Sequence, residues 1–84
     1  SLFASLKKKD FNETRKWVVN NLSVQPTDLF RMIYESSKDY LHPQSVPQAI
    51  LLLAGYQYKS AFVADQEINM VACLTEIMAT CKFK

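Results

Sequence analysis

Glycine is almost absent from this 84-residue sequence, and proline and histidine are scarce. Gly55 is the one glycine, His42 is the one histidine, and the three prolines are Pro26, Pro43 and Pro47. An all-β domain needs glycine and proline at its many turns, so this composition argues against a sheet fold. It favours a few long helices joined by short connections.

The sequence also lacks a long apolar run and a strong excess of one charge. The longest apolar run, Ala49 to Gly55, is far shorter than the roughly 20 residues that a membrane helix needs, so no membrane partner is expected. The net charge of +2 is too small to indicate nucleic-acid binding by the domain as a whole. We interpret the basic run from Lys7 to Lys9 as a solvated helix C-terminus, with an anion-binding patch as the alternative.

Residues for catalysis and metal binding are too few to form a recognised site. Cys73 and Cys81 lie on one predicted helix with about 12 Å between their Cα atoms, whereas a disulfide needs less than about 7 Å. Together with His42 they match no zinc pattern. The carboxylates Asp65 and Glu67 are explained by helix capping. We therefore expect two buried thiols in a reducing compartment, no catalytic residue, and no cofactor or metal in this segment.

Apolar residues at three- and four-residue spacing, together with capping residues, predict five helices. Their expected spans are Ser1 to about Lys8, Asp10 or Asn12 to Leu22, Pro26 to near Leu41, Ser45 to about Ala64, and Asp65 onward. The fold class is thus all-α, a single five-helix bundle over residues 1–84. Gly55 lies inside the fourth helix, where it costs up to about 1 kcal/mol relative to alanine. A close helix–helix crossing is the expected reason for it.

The chain offers more large apolar residues than a small bundle can bury, and such an excess indicates a protein–protein interface. Residues that cannot all point inward are Phe3, Val19, Tyr34, Tyr58 and Met78. The candidate interface residues are Trp17, Tyr56, Tyr58, Phe62, Met70 and Met78. A different hypothesis is a nucleic-acid binder that uses Lys7 to Lys9 and Tyr56 to Lys59, since aromatic and basic residues together can bind single strands.

Several segments, in order along the chain, carry a family resemblance. They are Leu6-Lys7-Lys8-Lys9-Asp10-Phe11 with Thr14-Arg15-Lys16-Trp17, Gln25 to Arg31, Pro47 to Tyr58, and Ala64 to Asn69 with Ala72-Cys73-Leu74. This order resembles the C-terminal domain of sliding-clamp loader small subunits, the replication factor C family. The segment Pro43-Gln44-Ser45-Val46-Pro47 is most similar to the bacteriophage type.

The resemblance implies that the chain is a collar (oligomerisation) domain and a fragment of a larger AAA+ protein. The start at Ser1-Leu2-Phe3, without a methionine, agrees with a longer parent. The parent would be an ATPase that uses ATP and Mg²⁺ in upstream domains, forms a homo- or hetero-pentamer, and loads a sliding clamp on primed DNA. Its expected location is cytoplasmic, in the host cell if the source is a phage. The alternative is a stand-alone helical adaptor that binds an amphipathic peptide.

Overall fold

The computed structural model describes all 84 residues, which form helices and connecting turns with one isolated bridge between Leu41 and Phe83. The helices are α1 (Leu2–Lys7), α2 (Phe11–Asn20), α3 (Pro26–Tyr40), α4 (Val46–Ser60) and α5 (Gln66–Thr80), with a 3₁₀ turn at Pro43–Ser45. The prediction of an all-α domain with five helices is confirmed. None of these helices is long and apolar enough to cross a membrane.

Local capping chemistry sets where most helices begin. The carboxylates of Asp10 and Asp65 accept hydrogen bonds from backbone N–H groups three residues later, each at 3.1 Å, as N-cap residues do. Pro26 takes the first position of α3, where its missing N–H costs nothing. Ser45 precedes α4 but does not cap it with its side chain, because its Oγ instead accepts from the N–H of Lys82 at 2.9 Å.

Two helices end earlier than the sequence predicts, and side-chain amides explain both ends. Helix α2 stops at Asn20 because the Asn21 side chain donates to the carbonyl of Trp17 at 2.7 Å, taking the place of the next helical hydrogen bond. Helix α4 stops at Ser60 rather than near Ala64. There the Gln66 amide donates to the Ser60 carbonyl at 2.8 Å and satisfies a free C-terminal group.

Helix α5 is the centre of the bundle, since it contacts α1, α2 and α4, while α3 packs against α4. Every helix contributes to one hydrophobic core of 16 buried residues. Fully buried members include Leu6, Val18, Ile33, Leu74 and Ile77. Because α5 contacts several helices, its apolar residues serve the core on more than one face.

The C-terminal segment, residues 82–84, is hydrogen-bonded to the chain at the end of α3. The N–H of Lys84 donates to the carbonyl of Tyr40, and the N–H of His42 donates to the carbonyl of Lys82, each at 2.9 Å. These two hydrogen bonds form the bridge between Leu41 and Phe83. The ring of Phe3 stacks on Tyr40, so residues from both ends of the chain lie beside the C-terminus of α3.

Gly55 lies on the exposed face of α4, which corrects the expected reason for its presence. No atom lies within 4 Å of the place that a Cβ would occupy. The predicted close crossing within this bundle is therefore wrong, because α4 turns this side away from both α3 and α5. Phe11, at the start of α2, and Leu22, just beyond its end, are likewise exposed.

Candidate interaction surface

The outward face of α4 carries three large apolar side chains that nothing in the chain covers. Leu51 and Tyr58 are each 71% exposed, and Phe62, just beyond the helix, is 72% exposed. With Gly55 between them they follow a spacing of four, three and four residues, which places them along one side of a helix. We call Leu51, Gly55, Tyr58 and Phe62 the α4 stripe.

The composition of α4 explains why the stripe exists. Lys59 is its single charged residue, and apolar residues lie on both of its sides. Ala49 and Leu53 are buried against the core, with Leu52 partly buried beside them. A helix that is apolar all round, but packed on one side only, leaves its other side exposed to water.

Two members of the α4 stripe are already ordered against each other. The rings of Tyr58 and Phe62 lie 5.2 Å apart between centroids, tilted by 54°, an arrangement that aromatic pairs favour. They form one wall of a groove of about 690 Å³. The other walls are the start of α3 and several amide side chains, namely Gln25, Pro26, Thr27, Gln57 and Gln66. Such a groove can receive side chains of a partner helix.

The six predicted interface residues do not share one surface. Tyr58 and Phe62 are exposed and adjacent, whereas Trp17 and Tyr56 are half-buried on different helices. Met70 and Met78 are only 3% and 7% exposed and belong to the core. They do not face outward, because both belong to the core cluster, and Met70 lines the same cavity as Leu29 and Phe30 of α3. Of the six, Tyr58 and Phe62 are the residues that the structure leaves exposed.

Leu51 is a member of the surface that the candidate set omits. Its position seven residues before Tyr58 puts it on the same side of α4, and this spacing was visible in the sequence. The five residues that were not all expected to point inward also fall into a buried and an exposed group. Phe3 and Met78 are buried, while Val19, Tyr34 and Tyr58 are exposed.

Tyr56 joins α4 to α5 and its polar group is occupied. Its hydroxyl donates a hydrogen bond to the Glu76 carboxylate, and the Lys59 ammonium lies 4.6 Å from the centre of its ring. The hydrogen bond to Glu76, with burial and the negative charge of Glu76, raises the pKa of Tyr56 to about 12. The face of the Tyr56 ring under Lys59 is therefore not free for a nucleobase.

Both cysteines are free and buried, as predicted. Burial, and secondarily the charge of Glu76, raises the pKa of the Cys73 thiol to about 12, and burial also raises the pKa of Cys81. The thiolate is the reactive form of cysteine, so a raised pKa lowers the reactive fraction of both side chains at neutral pH. No group of three His, Cys, Asp or Glu side chains lies close enough together to hold a metal ion.

The sequence matches no protein-family model and no curated protein. The α4 stripe has the chemistry of a protein contact surface. It is apolar, aromatic and nearly uncharged, which suits the packing of another protein surface against it.

Proposed function

We propose that this chain is a subunit-assembly domain that packs against neighbouring domains through the α4 stripe, as the collar of a DNA sliding-clamp loader does. The observation that carries the proposal is the exposure of Leu51, Tyr58 and Phe62 on one side of a helix with a single charged residue. Removal of apolar surface from water is the main favourable contribution to most protein–protein association. Monomeric proteins rarely leave such a patch uncovered.

The resemblance to clamp-loader small subunits supports the proposal that the assembly is a clamp loader. It rests on segments such as Leu6 to Phe11, Gln25 to Arg31 and Ala64 to Asn69. In a parent of that kind, upstream AAA+ domains would bind ATP and Mg²⁺ and contact the sliding clamp and primed DNA during replication in the cytoplasm. The collar would hold the subunits of a homo- or hetero-pentamer together. This chain would then contribute packing surfaces and no catalytic group.

Sedimentation equilibrium over a range of protein concentrations tests the assembly function. The wild-type chain is expected to self-associate, and Tyr58→Gln and Phe62→Gln are each expected to weaken association by about tenfold, as truncation of interface anchors does. Met32→Gln is the matched control, because Met32 is an exposed apolar residue on α3, away from the stripe. Equal association of all four proteins would exclude the α4 stripe as the contact surface.

The reading frame upstream of Ser1 tests the clamp-loader part separately. We expect a G-x-x-x-x-G-K-[ST] phosphate-binding loop followed by an acidic metal-binding segment. An upstream region without that loop would contradict the AAA+ parent and leave only a helical assembly domain.

A stand-alone adaptor is the second candidate, and the groove beside Tyr58 and Phe62 favours it. An amphipathic helix could insert its apolar residues between these rings and Pro26. A wild-type chain that stays monomeric at every concentration, yet binds a helical amphipathic peptide in a Phe62-dependent manner, would favour the adaptor over the assembly domain.

A further inference from the structure

Basic residues are concentrated at the two ends of the chain. Residues 1–20 and 81–84 hold seven of the ten Lys and Arg residues but only two of the eight Asp and Glu residues. The fold brings these segments together where α1, α3 and α5 end. There the Lys9 ammonium donates to the carbonyl of Met78 and the Lys84 ammonium donates to the carbonyl of Lys38. This end of the bundle therefore holds Lys7, Lys9 and Lys84.

An exposed aromatic ring lies within this basic end. Tyr40, the last residue of α3, is 47% exposed although its ring is stacked on Phe3, with 4.5 Å between centroids and planes 8° apart. Because Phe3 is buried, it holds the Tyr40 ring in place. Tyr40 lies in a shallow depression of about 330 Å³, which we call the Tyr40 depression. Lys7 and Lys84 also line this depression.

The lysines of the Tyr40 depression are not neutralised by ion pairs. The two ion pairs in the molecule are Lys16 with Glu13 and Arg31 with Glu35, both elsewhere on the surface. Lys84 uses one of its three donors on the Lys38 carbonyl, at 3.3 Å. Asp39 is the one acidic residue in the lining, so the depression keeps a net positive charge.

We propose that the Tyr40 depression binds single-stranded nucleic acid, with a base stacked on Tyr40 and the neighbouring phosphates contacted by Lys7 and Lys84. A fixed, partly exposed ring between lysines provides the stacking and charge that sequence-independent strand binding needs. Bases in a duplex are already stacked on one another, so a single strand is the form that can use the ring. This activity does not depend on the α4 stripe, and its aromatic residue is not Tyr56, whose ring is covered by Lys59.

Fluorescence anisotropy with a labelled oligothymidylate tests the aromatic part of the proposal. At about 50 mM salt, where phosphate contacts are strong, the wild-type protein is expected to bind a strand of about ten nucleotides. Tyr40→Leu keeps an apolar contact with Phe3 but removes the stacking ring, and it should weaken binding about tenfold. Tyr40→Phe should bind like the wild type. Tyr34→Leu is the matched control, an exposed tyrosine of α3 outside both the depression and the α4 stripe, and it should leave binding unchanged.

The salt dependence of the same measurement tests the lysines. Lys7→Gln and Lys84→Gln should each weaken binding and reduce the slope of log affinity against log salt by about 0.7. Lys59→Gln, a lysine outside the depression, should change neither quantity. Far-UV circular dichroism establishes that each variant is folded, and the two lysine variants decide the question if Tyr40→Leu does not fold.

Three outcomes would overturn the proposal. The first is unchanged binding by folded Tyr40→Leu, and the second is equal binding by all three lysine variants. The third is equal affinity for a polyglutamate peptide or a DNA duplex of matched charge, which would identify a general attraction for anions. None of these outcomes bears on assembly through the α4 stripe, so the two proposals stand or fall separately.

Discussion

The ammonium of Lys9 donates a hydrogen bond to the backbone carbonyl of Met78, 2.7 Å away across the bundle. Met78 lies in the last turn of α5, where the free carbonyls carry a partial negative charge. Lys9 also has a φ of 57°, in the left-handed region that favours glycine. An unfavourable backbone conformation therefore occurs at the residue that links α1 and α2 to the end of α5.

Two substitutions of Lys9 separate the contribution of its side-chain hydrogen bond to stability from the cost of its left-handed backbone. Lys9→Gln keeps the strained conformation and loses the charge at the helix end, so we expect a loss of about 1 kcal/mol in the free energy of unfolding. Lys9→Gly also loses the charge but relieves about 1 kcal/mol of left-handed strain, and should be close to wild type. Urea unfolding followed by circular dichroism measures both, and equal stability of the two variants would contradict this division.

Gly55→Ala should stabilise the isolated chain. Nothing lies within 4 Å of the new Cβ, and alanine is favoured over glycine inside a helix by about 0.8–1 kcal/mol. The expected result is a rise of that size in the free energy of unfolding, measured in urea at a concentration where the protein is monomeric. A loss of stability would indicate that this side of α4 is covered within the chain.

Met78 and Phe62 should respond differently to truncation, although the sequence made both of them interface candidates. Met78→Ala removes a buried core side chain and should cost about 2–5 kcal/mol of stability. Phe62→Ala removes an exposed side chain and should change stability by no more than about 0.5 kcal/mol. Thermal unfolding of the monomer measures the contrast, and similar losses in the two variants would contradict the placement of Phe62 on the surface.

Alkaline pH should destabilise the protein through Tyr56 and Cys73. Folding raises the pKa of Tyr56 from 10.0 to about 12 and that of Cys73 from 9.0 to about 12, so the folded state holds protons that the unfolded state releases. Their stabilising contribution is complete below the unfolded values and is lost as the pH rises towards 12. Stability measured in urea at increasing pH should fall over this interval. Glu76→Gln should lower the pKa of Tyr56, which the absorbance of ionised tyrosine reports.

The parts of the fold that sequence alone predicted depend on chemistry between near neighbours. Asp10 and Asp65 cap the helices that follow them, and Pro26 begins α3, because each needs only the next three residues to act. The number of helices followed from the same signals. The early end of α4 was missed, since it depends on the Gln66 side chain reaching back to Ser60.

Placement on the inner or outer side of a helix could not be predicted where apolar residues surround it. Met70 and Met78 are buried only because other helices cover α5, and Gly55 is exposed only because none covers that side of α4. The Tyr40 depression could not be predicted from the sequence either. Phe3 and Lys7 come from α1, Tyr40 from the end of α3, and Lys84 from the end of the chain, so only the fold brings them together.

The burial of Cys73 makes its thiol a reporter of local opening around α5. Its thiol is fully buried in α5 and its pKa is raised to about 12, so a thiol-specific reagent reacts with it only after α5 has separated from its neighbours. The labelling rate of Cys73, separated from that of Cys81 by peptide mass analysis, therefore reports how often α5 opens in the unmodified protein. Cys73 thus reports the rate of local opening at the centre of the bundle, at neutral pH and without an engineered probe.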